Sequence, residues 1–178
     1  MNNTKLKKGG IDTIIAYIVV ILPLVYILAF IIAIIYHFSV QGYIAQVAKE
    51  LAISASTYGE ITEPMQKRVY DRLEALDLGR FQIAIKVREY VEESNTFGTP
   101  SFYTTAPGNW NPIDSEASIP TLDSDDLKQK SIVAVYLRSE EPSLLATVAN
   151  FGLFGGDGTS TLNYSAFREE IVRYAPEP

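Results

Sequence analysis

Residues 11–38 read IDTIIAYIVVILPLVYILAFIIAIIYHF, and from Thr13 to Tyr36 no side chain is charged. A helix needs about 20 apolar residues to cross a hydrocarbon core of about 30 Å, so this run predicts a transmembrane helix. Lys5, Lys7 and Lys8 precede it, and no basic residue follows until Lys49. That bias predicts a cytoplasmic N-terminus and an extracytoplasmic C-terminal part, in a single-pass protein of the cell membrane. Tyr36 and His37 fall where an outer interfacial anchor is expected. A cleaved secretory signal has a shorter apolar core, of about 7–15 residues, and an A-x-A-like site. The closest match here, Ala45-Gln46-Val47-Ala48, is poor.

The helical pattern continues past the apolar run. Val40, Ile44, Val47, Leu51, Ser54 and Tyr58 recur at spacings of 4 and 3, one stripe of a helix, and Gly59 is a natural stop. A single helix over residues 11–58 would be about 70 Å long. Pro23 removes one backbone hydrogen bond and predicts a kink; Gly42 is a second weak point. The first half is expected in lipid and the second half against its own outer domain.

That domain, residues 60–178, predicts an α+β fold with an antiparallel sheet of about three strands packed on the long helix. Thr62 with Pro64 opens a helix whose apolar face is Met65, Val69, Leu73 and Leu76, with Gly79 as its stop. Phe81, Ile83, Ile85 and Val87 then alternate with Gln82, Ala84, Lys86 and Arg88, the clearest strand in the chain. Ser131–Arg138 (SIVAVYLR) predicts a second strand, apolar on both faces and so buried on both. Pro142 opens a short helix with Leu144, Leu145, Val148 and Phe151 inward. After the turn Gly155-Gly156-Asp157-Gly158, a long strand over residues 159–174 changes phase between Ala166 and Phe167, which predicts a bulge near residues 168–170. Residues 92–130 are polar and predict a long loop.

Composition narrows the function. The net charge is −6, and beyond residue 10 the chain has 12 basic and 21 acidic side chains. An acidic domain of this kind argues against nucleic-acid binding. The absence of cysteine removes disulfides, thiolate metal sites and a cysteine nucleophile. With His37 the single histidine, one chain cannot build a two-histidine metal site or a Ser-His-Asp triad in the outer domain. Asp114, Glu116, Asp123, Asp125 and Asp126 offer oxygen ligands for calcium but lack EF-hand spacing, so a solvated acidic loop is the plainer reading. The adjacent pairs Glu140/Glu141 and Glu169/Glu170 carry no glycosidase signature, and the sequon Asn163-Tyr164-Ser165 lies in a predicted strand. No catalytic, metal or cofactor site is expected. Phe97, Phe102, Tyr103 and Trp110 remain as an aromatic contact surface for a partner; packing on their own domain is the competing reading.

Lys7-Lys8-Gly9-Gly10 before Ile11, followed by an apolar helix with Pro23 at its thirteenth residue, resembles the class III leader of type IV pilins and pseudopilins. The likeness is greatest to TadE-like pseudopilins of tight-adherence pili and to pilin-like proteins of Gram-positive conjugative elements. It extends to GYIAQVAKELAISASTYGEI and to SLLATVANFGLFGGDGTSTLNYSAFREEIVRY. The resemblance implies a basic leader, residues 1–10, cut by a prepilin peptidase between Gly10 and Ile11. It further implies Pro23 as the family's helix-kinking proline, and partners among other pilin-like subunits and pilus assembly proteins. One departure stands out. The family's glutamate at the fifth mature position is Ile15 here, and Asp12, at the second position, is the acidic residue available for a subunit contact. The function expected is a non-enzymatic pilin-like structural subunit, held in membrane lipid until it joins a surface filament. The alternative is an uncleaved, membrane-anchored binding or assembly protein that uses the 92–130 loop.

Overall fold

The computed structural model describes residues 4–102, 110–122, 127, 129–150 and 162–173. The chain is α+β, with one long apolar N-terminal helix and a small antiparallel sheet domain. Helix α1 runs unbroken from Thr4 to Tyr58, with Pro23 inside it. At 55 residues it is about 80 Å long. It begins seven residues before the Ile11 start expected from sequence, so the basic leader from Thr4 to Gly10 is helical too.

The two halves of α1 meet different surroundings because their sequences differ. From Thr13 to Leu28 apolar side chains point outward on nearly every side, Ile14, Val20 and Leu24 among them. From Val40 onward one face is buried: Val40, Ile44, Val47, Ala48, Leu51, Ala52 and Ala55. Tyr58, expected on that stripe, is 66 % exposed. The stripe passes instead through Ala48, Ala52 and Ala55, whose small side chains let the sheet approach closely.

Helix α2 (Glu63–Glu74) buries Gln66, Val69 and Leu73. Thr62 caps it through its carbonyl, which accepts the N–H groups of Met65 and Gln66, and not through its hydroxyl. The helix ends at Glu74, ahead of Gly79. Gly79 instead makes the turn into the sheet with φ +76°. An added Cβ there meets the mobile end of Glu141 at 2.6 Å, so backbone strain dominates a substitution. Gly79→Ala is expected to destabilise the fold by about 1–2 kcal/mol, read from the urea midpoint.

Among the described residues the sheet has five strands, against the three or so expected from sequence. Strand β1 (Phe81–Arg88) is bordered on one side by β4 (Ser101–Phe102) and β5 (Asn111–Ile113) and on the other by β6 (Ile132–Pro142). Strand β7 (Asn163–Ile171) completes the other edge, antiparallel to β6. A separate hairpin joins β2 (Tyr90–Val91) to β3 (Thr96–Phe97). The 92–130 segment is therefore not a free loop. It supplies three short strands and a 3-10 turn at Glu116–Ser118, and it buries Ile113, Ile119, Leu122 and Leu127 in the core. The buried Gln66 amide donates to the Ile119 carbonyl at 2.6 Å, and the Ile61 N–H donates to the Leu122 carbonyl, so this segment is stitched to α2 and to the turn between α1 and α2.

Two further expectations are corrected. Pro142 closes β6 and does not open a helix; Ser143 stands at the head of α3 (Leu144–Asn150), accepting from the Ala146 N–H. Within α3 the fully buried side chain is Ala146, whereas Leu144 is 42 % exposed; Phe151 lies outside the described residues. The β-bulge lies in β6, not β7. Arg138 pairs with Ser165 and Pro142 with Asn163, so Ser139–Glu141 bulge out of register. Their polar groups find partners within the bulge and on neighbouring strands. The Ser139 hydroxyl donates to the Glu141 carbonyl at 2.7 Å and accepts the Tyr164 N–H at 3.1 Å, and the Asn163 amide donates to the Ser139 carbonyl. The phase change in β7 is simply its two faces: Tyr164 and Ala166 turn toward α1, Phe167 and Ile171 to the open side. The start of the expected strand and the glycine turn lie outside the described residues.

Helix α1 packs along the face of the sheet that carries Ile83, Ile85, Val133, Val135, Leu137 and Tyr164. His37 stacks on Tyr164 at one end, and the Arg173 N–H donates to the Ser56 carbonyl at the other. The nineteen helical steps from His37 to Ser56 and the nine strand steps from Tyr164 to Arg173 both come to about 30 Å, so helix and strand keep pace along the contact.

Candidate membrane and partner surfaces

Three surfaces follow from this fold. The first is the N-terminal half of α1. It is long and apolar enough to cross a membrane, and the candidate span begins at Thr13. Unlike the core helix of a soluble domain, it is uncovered: Val19, Val20 and Leu24 are each more than 60 % exposed. Soluble proteins rarely leave so continuous an apolar surface in water. The geometry is compatible with a single-pass membrane protein. Gly10, Ile11 and Asp12 lie within α1, so the Gly10–Ile11 bond is inside a helix; the side chains of Ile11 and Asp12 are outside the description.

The second surface is the open face of the sheet. Arg138 lies over the Trp110 ring at 4.1 Å, Trp110 meets Tyr136 edge-on, and Tyr136 packs on Phe167 with centroids 4.6 Å apart. Gln82 accepts from Arg138 Nε at 2.6 Å and fixes the guanidinium over the indole. Beside these rings is a shallow concavity of about 350 Å³ bordered by Ser165 and Ala166. Burial, and then the nearby Glu169 carboxylate, push the Tyr136 phenol above its ordinary pKa, with Arg88 opposing. Of the four aromatic residues singled out from sequence, the side chains of Phe97 and Trp110 are described. Trp110 packs on its own sheet. Phe97 is 45 % exposed in the hairpin, against Tyr90, toward the opposite end of β1. The Phe102 backbone pairs with Lys86, its side chain is not described, and Tyr103 lies outside the described residues. Arg138 and Phe167 were missed because nothing in their local sequence brings them to Trp110.

The third surface is the outer edge of β7. Gln41 on α1 brackets one residue of it: the amide donates to the Ser165 carbonyl, and the Ser165 N–H donates back to Gln41 Oε1 at 3.3 Å. A side chain thus takes the place of a neighbouring strand at that point. Close by, the Leu144 N–H donates to the Tyr164 hydroxyl at 3.4 Å. Burial raises the Tyr164 phenol pKa, and the Leu144 bond works against that shift.

Among the described residues, no group of three or more His, Cys, Asp or Glu side chains is placed to hold a metal ion. Of the acidic cluster, Asp114 is 3.5 Å from Arg80; Asp123, Asp125 and Asp126 lie outside the described residues. No family model, curated protein or solved structure matches the chain.

Proposed function

We propose that the chain is a pilin-like subunit of the TadE type, anchored in the membrane by the first half of α1 and serving a structural role in a pilus or conjugation-type machine. One observation carries this reading. A single unbroken helix is apolar and largely bare from Thr13 to Leu28 and forms the spine of a small α+β domain from Val40 onward. That division suits a subunit that leaves the bilayer by exchanging lipid around its helix for the helices of neighbouring copies. The Lys-Lys-Gly-Gly junction adds the processing site. Gly9 and Gly10 are each about 1 kcal/mol poorer than alanine as helix formers, so α1 unwinds at least cost there, where a peptidase needs an extended chain.

Mass spectrometry of the protein extracted from membranes of a host with an active prepilin peptidase tests this. The expected product begins at Ile11, and Gly10→Val is expected to leave Met1 in place. A full-length mass for the unaltered chain would overturn the leader assignment.

A second reading has its own support. The Gly10–Ile11 bond lies inside a helix, Ile15 replaces the family's glutamate, and the Trp110–Arg138–Tyr136–Phe167 cluster offers aromatic contact area. On that reading the protein stays uncleaved and captures an envelope partner with the open sheet face. Phe167→Ala separates the two: partner capture falls while membrane insertion and filament assembly are unchanged.

A further inference from the structure

The burial record along α1 contains a detail that a simple anchor does not explain. The covered stripe does not stop at His37. It continues toward the N-terminus through Ile34, Ala33, Phe30 and Ala29 to Tyr26, and Ala33 is 0 % exposed. Helix α3 packs on α1, and the Tyr26 hydroxyl donates to the Val148 carbonyl of α3 at 3.3 Å.

Tyr26 is thirteen residues beyond Thr13, where the uncharged run begins, and so stands about 20 Å along the axis. A hydrocarbon core is about 30 Å thick, which leaves the contact about 10 Å below the boundary on the domain's side. Tilting the helix only deepens it. Sliding α1 outward far enough to free α3 would draw Asp12, Lys8 and Lys7 below the opposite boundary.

We propose that α3 is a second membrane contact, with its exposed flank at Leu144 covered by acyl chains of the leaflet on the domain's side. The domain is then seated partly in the bilayer and does not stand clear of it. This rests on the membrane-spanning reading of α1. Three observations support lipid as the occupant. The flank is continuous with the bare surface of α1. The sequence from Pro142 to Gly156 has no charged side chain. Several polar groups of the helix are already paired within the protein, as hydrocarbon demands. The Leu144 N–H has the Tyr164 hydroxyl, the Ala146 N–H has Ser143 Oγ, and the Thr147 hydroxyl has the Ser143 carbonyl. The Val148 carbonyl in the last described turn takes the Tyr26 hydroxyl. That same bond answers the need of a phenol placed mid-span, which is disfavoured in hydrocarbon without an acceptor.

The absence of cysteine makes a direct test possible. Leu144→Cys, Ile27→Cys and Glu93→Cys are each labelled with a nitroxide in the full chain and reconstituted in phosphatidylcholine vesicles; Ile27 is exposed and lies about 9 Å below the same boundary. Relaxation by oxygen and by a water-soluble nickel chelate then reports depth. Position 144 is expected to side with position 27, accessible to oxygen and shielded from nickel, while position 93 shows the reverse. If 144 behaves like 93 while 27 stays lipid-like, the proposal fails and the spanning reading stands. If 27 also behaves like 93, the spanning reading fails and the proposal goes with it. If 144 is closed to both reagents and its spectrum sharpens on dilution with unlabelled protein, a second copy covers α3 and lipid does not.

Discussion

Replacing Leu24 and Leu28 together with arginine is expected to convert the protein from one that resists alkaline extraction into one largely released by it. Between Ile14 and Ile35 the run holds sixteen Ile, Val, Leu and Phe residues. At about −0.3 to −0.6 kcal/mol each, they favour insertion by roughly 5–10 kcal/mol. One arginine near the centre costs about 2.5–3.5 kcal/mol, which that surplus absorbs; two together offset most of it. Neither leucine lies on the stripe covered by the domain, and both are more than half exposed, so the sheet domain should keep its fold. An unchanged extraction profile for the double variant would count against membrane insertion of α1. Release of both variant and unaltered chain would do so more directly.

The second large effect is expected at Tyr164. The residue is only 2 % exposed, at the junction of α1, α3 and the β6 bulge. It stacks on His37 with centroids 5.1 Å apart, and its hydroxyl accepts the first N–H of α3. Tyr164→Ala leaves a cavity between helix and sheet and is expected to cost about 3–5 kcal/mol, as for other buried aromatic truncations. Tyr164→Phe keeps the stack and loses the bond to Leu144, for about 0.5–1.5 kcal/mol. Trp110, the one tryptophan, sits over Arg138 and reports unfolding by fluorescence in detergent. Equal midpoints for the alanine and phenylalanine variants would show that the ring is not part of the packing that holds α1 to the sheet.

How much of this was readable in advance depends on the range of the interaction. The strand at Phe81–Arg88 was legible because one face is buried and the alternation records it residue by residue. The stripe from Val40 to Leu51 was legible for the same reason, at helical period. Strands β4 and β5 were not, since two or three residues contain no period; what places them is β1, whose edge needs partners. The bulge at Ser139–Glu141 was assigned to the wrong strand because Ser-Glu-Glu-Pro reads locally as the end of an element. Its hydrogen bonds come from Asn163 and Tyr164, more than twenty residues away. Of the surfaces, the bare half of α1 is written in composition. The Trp110–Arg138 pair and the Tyr26–Val148 contact are not, because each joins segments brought together only by folding.

The matched spans His37–Ser56 on α1 and Tyr164–Arg173 along β7 and just past it have a mechanical consequence. The strand is fastened to the helix near both ends, by Tyr164 on His37 and Ser165 on Gln41 at one and by Arg173 on Ser56 at the other. A pull along the helix axis therefore reaches the sheet as shear, shared at once by the whole β6–β7 ladder, and not as a peel that breaks one bond at a time. Because anchor and domain share one continuous helix, rotation of that helix about its axis turns the open sheet face with it. Where the aromatic cluster points is set by the azimuth of the helix below it.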